Sequence, residues 1–224
     1  MVELILAEQT LLIVLDDEKG RDTTHWGSGP GLAAAVLLDL ARLELIDADA
    51  DGKIVALDGV QPGHELLREA YATIRDSSKR RTAKGWVNHL PRELRPLRQR
   101  LGRGLVQRGI LSEEHSKTLG ILPTTRFPTI DAAPERELRG RLQDVLVAGR
   151  EPTEEEALLI GLLEPLELIA SVVPHDQRRT ARKRAKAVAE QGLAGTAVRD
   201  AVRAVQAAAL VAVTAGGGGG GGGH

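Results

Sequence analysis

Leu94-Arg95-Pro96-Leu97-Arg98-Gln99-Arg100-Leu101, running on through Gly102-Arg103-Gly104-Leu105, is the stretch whose periodicity decides the fold class. At about 100° per residue, Leu94, Leu97, Leu101 and Leu105 fall within an arc of about 80°, while Arg92, Arg95 and Arg103 lie roughly opposite. Arg98 sits at the edge of the apolar stripe. One face therefore packs and the other is cationic, which is the pattern of an amphipathic helix. Pro96 disfavours helical geometry at Arg95, so the helix begins at Pro96 and leaves Arg95 and Arg98 near its N-terminus. Free N–H groups there attract phosphate, and the arginine fork suits phosphate oxygens. Downstream, Leu119-Gly120-Ile121-Leu122-Pro123-Thr124-Thr125-Arg126-Phe127-Pro128 adds a short apolar patch. Positive charge beside apolar side chains points to an anionic surface with apolar material beneath it, as in a membrane.

The composition agrees with a helical reading. Apolar residues make up 42% of the 224 positions but aromatics only 2%, so the core must come from Leu, Val, Ile and Ala, which favours packed helices. Formal net charge is -1, so any cationic surface is local, and indiscriminate attraction to nucleic acid is not expected. Without cysteine there are no disulfides and no thiolate metal sites. Met1-Val2-Glu3-Leu4 lacks the basic start of a signal peptide, and no apolar run reaches membrane-spanning length. A cytoplasmic chain with peripheral membrane contact is the expectation.

Working outward, residues 3–15 place Leu4, Ile5, Leu11, Leu12 and Leu15 on one broad helical face, which ends at Asp16-Asp17-Glu18-Lys19-Gly20. Beyond the Gly27-Ser28-Gly29-Pro30-Gly31 breaker, Leu32 to Leu43 is apolar enough for a central, buried helix. Leu43 to Ile46 and Lys53 to Leu57 read as two strands joined by an Asp-Gly turn. Gly63 to Ser77 and Lys79 to Leu90 are amphipathic helices, Gly109 stops the arginine helix, and Leu119 to Pro128 forms a second hairpin. Asp131 caps a helix carrying Leu138, Leu142 and Val145, Thr153 and Glu156 form a capping box, and Leu193 to Thr214 is a last Ala/Val-rich helix. The expectation is a mainly α single-domain helical bundle over residues 1–215, with one or two short β-hairpins and a flexible glycine tail over 216–224.

Chemistry-bearing motifs are few. Asp47, Asp49 and Asp51 with Gly52, Ile54 and Asp58 follow much of the calcium-loop spacing, but position twelve is Asp rather than Glu and Val60-Gln61-Pro62-Gly63 is a poor start for an exiting helix. An acidic hairpin turn is the favoured reading, and no metal is expected. The six histidines show no metal-ligand pair, no phosphate loop follows a strand, and Ser28 has no assignable base, so no catalytic residue and no cofactor are expected. The basic faces could equally be solvated, their arginines paired with nearby acids. Arg178, Arg179, Arg182, Lys183, Arg184 and Lys186 pose the same alternative, and no aromatics interleave with them to stack bases.

Several segments together resemble the Golgi phosphoprotein 3 family: Leu15 to Gly20, Thr24-His25-Trp26 before Gly31-Leu32, Trp86, Leu94 to Leu101 leading to Leu105 to Leu111, and Leu122 to Phe127. The resemblance implies a mostly helical domain with a pocket for the phosphatidylinositol 4-phosphate headgroup and a hydrophobic hairpin that enters the bilayer or mediates self-association. It assigns the pocket to Trp26, Arg95 and Arg98. A further family arginine follows the Gly-Leu pair, where Ala33 stands here, so recognition of an anionic surface is better supported than recognition of one phosphoinositide. The expected protein is a non-enzymatic, lipid-binding peripheral membrane protein with Leu122 and Phe127 at the tip of an inserting or oligomer-forming hairpin. Its partners would be anionic membrane lipid, a homo-oligomer through the hairpin and a protein client for an adaptor role. The alternative is a helical oligomeric interaction scaffold without specific lipid binding.

Overall fold

Two helices made almost wholly of buried residues form the centre. In the computed structural model, which describes residues 3–15, 20–22, 28–118, 122–191, 203–209 and 211, α1 (Leu6–Val14) is buried along its whole length and α2 (Gly29–Arg42) from Gly31 to Ala41. Only the backbone is described for residues 116–118, 122–124 and 191. Full burial of α1 departs from the single apolar face expected of it, because its polar residues find partners inside. Glu8, with 0% exposure, is held by Arg108, and Gln9 donates to the Leu4 carbonyl at 2.8 Å and to Glu155 Oε1 at 2.7 Å. A buried charge needs such partners to be tolerated.

Against this pair, α3 (Glu65–Arg75) and α4 (Ala83–Glu93) pack on α2, α5 (Leu97–Gln107) and α7 (Glu154–Leu163) on both helices, and α6 (Ala133–Leu146) on α1, with α8 (Ile169–Val172) and α9 (Arg178–Gln191) packed in turn on α6 and α9 also on α7. Leu94, Leu97, Leu101 and Leu105 are all buried, as their spacing predicts, and α4 and α5 are separated at a cis Arg95-Pro96 bond. Gly109, at φ +73, follows the end of α5. The Thr153 and Glu156 capping box is formed: the Thr153 N–H donates to Glu156 Oε2 at 2.8 Å, and the Glu156 N–H to Thr153 Oγ1 at 3.3 Å. One continuous apolar cluster runs through these elements, so the chain is mainly α. Residues 203–209 are helical, while the remainder of the expected last helix and the glycine tail lie outside the described residues.

Two small antiparallel sheets complete the fold. β1 (Ile46–Ala48) pairs with β2 (Lys53–Ala56) through the expected Asp-Gly turn, and β2 also pairs with β3 (Arg81–Thr82). The helix read from Lys79 therefore begins only at Ala83, since Thr82 serves as its N-cap and its Oγ1 accepts from the Gly85 N–H at 3.2 Å. The second hairpin is β4 (Glu114–Thr118) against β5 (Leu122–Arg126), with Thr118 opposite Leu122 and Glu114 opposite Arg126. Its first strand is thus the polar run from Glu114, not the apolar patch from Leu119. A two-stranded ribbon is held by its ladder, and Glu114 and His115 can remain exposed.

Candidate functional site

The corner where the end of the α1 loop, the start of α5 and the last residues of β5 meet is built on glycine. Gly20 adopts φ +56, and a Cβ there would lie 2.1 Å from the main-chain carbon of Phe127, so only glycine permits this approach. The Phe127 N–H donates to the Gly20 carbonyl at 3.1 Å. On the other side the Phe127 ring covers Gly102 of α5, where an added Cβ would meet its Cζ at 2.6 Å. Phe127 is consequently 0% exposed. Its placement at an inserting tip is overturned: it anchors the base of the hairpin, one residue beyond β5, because the two glycines open a socket for it. Leu122 does stand next to the turn, opposite Thr118.

Arg98 closes this corner. The apolar stripe of α5 turns its half-buried side chain inward, where Nη2 donates to the Gly20 carbonyl at 3.1 Å and Nη1 to the Thr125 carbonyl at 3.2 Å. The guanidinium lies 5.5 Å from the centre of the Phe127 ring, and its Nε is buried without a partner. Burial pushes its pKa below the ordinary arginine value, and the negative charge of Asp22 opposes that fall. Asp22 Oδ2 itself accepts from the Ser28 N–H at 2.9 Å, just ahead of α2. Arg95 is different: it is exposed and forms no hydrogen bond or ion pair with the described residues. Trp26 lies outside the described residues. Ala33 is fully buried in α2, so a cation at this position would face the core.

The remaining arginines of the stretch sort themselves by partner. Arg100 pairs with Glu69, Arg103 grips Glu113 through contacts of 3.0 and 3.1 Å, and Arg108 holds Glu8. These are structural pairs, the dull alternative for a basic helix face. In α9, Arg178 donates to the Ala170 carbonyl at 3.1 Å and Arg184 pairs with Glu151, whereas Arg179, Arg182, Lys183 and Lys186 are exposed. The acidic hairpin turn uses Asp49 as a turn-forming acceptor, taking the N–H groups of Asp51 and Lys53, each at 2.9 Å, and pairing with Arg80. Those hydrogen bonds hold its carboxyl below the usual aspartate value. No cluster among the described residues could hold a metal ion.

A buried polar group at the N-terminal end of α1 was missed in the sequence. Asp39 of α2, 0% exposed, accepts from the N–H groups of Leu6 and Ala7 at 2.9 and 3.1 Å, so one helix caps another. Burial pushes its pKa up to about 7 against those hydrogen bonds and the Arg42 guanidinium. Asp39 falls within an otherwise apolar run, and that lone acid is the one available signal. Gly102 had another, a glycine on the packing side of a helix in a chain with a single Phe.

The chain is thus a mainly helical domain with a glycine-built corner and a two-stranded ribbon. The sequence pattern of the family described as Golgi phosphoprotein 3 (GPP34) matches residues 6–205, and the chain belongs to that family. It is similar to vacuolar protein sorting-associated protein 74 of Eremothecium gossypii, with 28% identity over 165 residues, 64% of this chain and 49% of that protein. The match thus spans about half the length of that relative.

Proposed function

We propose that the chain is a non-enzymatic peripheral membrane protein that binds anionic lipid headgroups, of the phosphatidylinositol 4-phosphate kind, through Arg95, Arg98 and Trp26. What supports this most directly is Arg95, an exposed cation without a partner among the described residues, three positions from the half-buried Arg98. Arg100, Arg103 and Arg108 are spent on acids, so among the described residues the cationic face narrows to Arg92 and Arg95, with Arg98 half-buried. The chain binds at the surface rather than across it, in keeping with the absence among the described residues of any helix long and apolar enough to cross a membrane. The β4–β5 ribbon, with Leu122 beside its turn, serves as the membrane or self-association element. Family membership and the sorting-related name of the Eremothecium gossypii relative support an adaptor role toward a protein client at a Golgi-type membrane.

Flotation with phosphatidylcholine vesicles, with and without phosphatidylinositol 4-phosphate, tests the reading. Wild type should float only with the anionic vesicles, and Arg95→Ala should bind them roughly tenfold or more weakly, since a hydrogen bond to a charged group contributes about 1.5–3 kcal/mol. Equal flotation of variant and wild type would overturn the corner. Salt-resistant oligomers without lipid binding would instead favour the interaction scaffold, which the paired arginines of α5 also fit.

A further inference from the structure

We infer that Arg98 binds the headgroup and also couples its corner to the hairpin, so that a bound phosphate draws its guanidinium away from the Thr125 carbonyl and loosens the β4–β5 ribbon. This inference rests on the lipid-binding reading and adds a consequence to it.

The free protein shows a cation whose hydrogen bonds are placed on neutral groups. Arg98 reaches across two loops to the carbonyls of Gly20 and Thr125, and Asp22 is the only acid among the described residues that bears on its charge. Its Nε is buried and has no acceptor. A buried donor left unmade is costly, and two carbonyls from separate strands of chain cannot offer the parallel pair of oxygens that a guanidinium fork matches. A phosphate offers such a pair along with its own charge; it takes the edge of Nε and Nη2, where Nη2 now faces the Gly20 carbonyl, and turning that edge toward the ligand draws Nη1 off the Thr125 carbonyl.

The ribbon is held unevenly, which decides what such a competition would release. At its base, Phe127 is locked into the Gly102 socket and bonded to Gly20, and the Ser112 N–H donates to the Pro128 carbonyl at 2.8 Å. Among the described residues, Thr125, two residues up, is tied to the rest of the molecule by Arg98, apart from its pairing with His115 of the ribbon itself. Removing that one bond leaves the anchor in place and frees the paired strands to pivot on it. The hairpin would then be restrained in solution and released where the headgroup is met.

Amide hydrogen exchange of the full chain tests this, with soluble inositol 1,4-bisphosphate as the probe so that no bilayer shields the ribbon. Wild type should exchange amides of residues 114–118, 122 and 124–126 several-fold faster with the probe, while the Phe127 amide stays protected. Arg98→Lys keeps the charge but lacks the fork; it should show the faster ribbon exchange without the probe and no further rise with it. Arg95→Ala should keep the slow ribbon and lose the response. An Arg98→Lys ribbon as slow as wild type, or a wild type that binds the probe with ribbon exchange unchanged, would overturn the coupling alone. Wild type that neither binds the probe nor floats with anionic vesicles would remove the lipid reading and the coupling with it.

Discussion

At the scale of single residues, the same substitution should act with opposite sign at two helical glycines. Gly102 faces the Phe127 ring at 2.6 Å from a would-be Cβ, and the ring cannot retreat, because its own main chain is pressed against Gly20. Gly102→Ala is therefore an overpacking change expected to cost about 1–3 kcal/mol in urea unfolding. Gly140 in α6 has nothing within 4 Å of an added Cβ. Gly140→Ala should stabilise by roughly 0.5–1 kcal/mol through helix propensity and a less flexible unfolded chain. A neutral Gly102→Ala would mean that Phe127 is not seated as described, and its removal from the membrane-facing residues would lose its physical ground.

At the scale of elements, what could be read in advance was what the chain specifies over a few residues. The capping box at Thr153 is such a case, with donor, acceptor and spacing all local, and α7 begins where they predict. Thr153→Ala should cost about 0.5–2 kcal/mol, measurable by denaturant unfolding. A loss below a few tenths would show that the Arg150 contact to Glu156 carries the cap instead. The apolar spacing of Leu94 to Leu105 likewise foretold the buried face of α5. β4 was not legible, because a polar run such as Glu114 to Thr118 carries no burial pattern and pairs only once β5 lies beside it. Arg98 escaped for a similar reason: its partners are main-chain oxygens 27 and 78 positions away, which no side-chain motif marks. The sequence could place a cation there, but not show that it is already engaged.

At the scale of the whole molecule, the pairing of the two central helices should make stability depend on pH in an unusual direction. Asp39 holds the N-terminus of α1 from within α2, at 0% exposure, and faces Arg42, with His64 acting on it at longer range. Its pKa is raised from 3.8 to about 7 because burial disfavours the carboxylate more than the Leu6 and Ala7 N–H groups and Arg42 favour it. The folded chain thus holds a proton that the unfolded chain releases, so this contribution is fully present below 3.8 and is lost as pH rises through about 7. His64 works the other way: burial lowers its pKa from 6.5, so its contribution is lost as pH falls below 6.5. Between about pH 8 and about pH 6.5 the two oppose each other, so Asp39 is read in the difference in unfolding free energy between wild type and Asp39→Asn, which should grow by a fraction of a kcal/mol as the pH is lowered. Asp39→Asn cannot take up that proton, so its urea midpoint should not rise across the same interval. A wild-type midpoint that runs parallel to the variant's would show that Asp39 remains ionised at the heart of the fold, with the N-terminal dipole of α1 outweighing its burial.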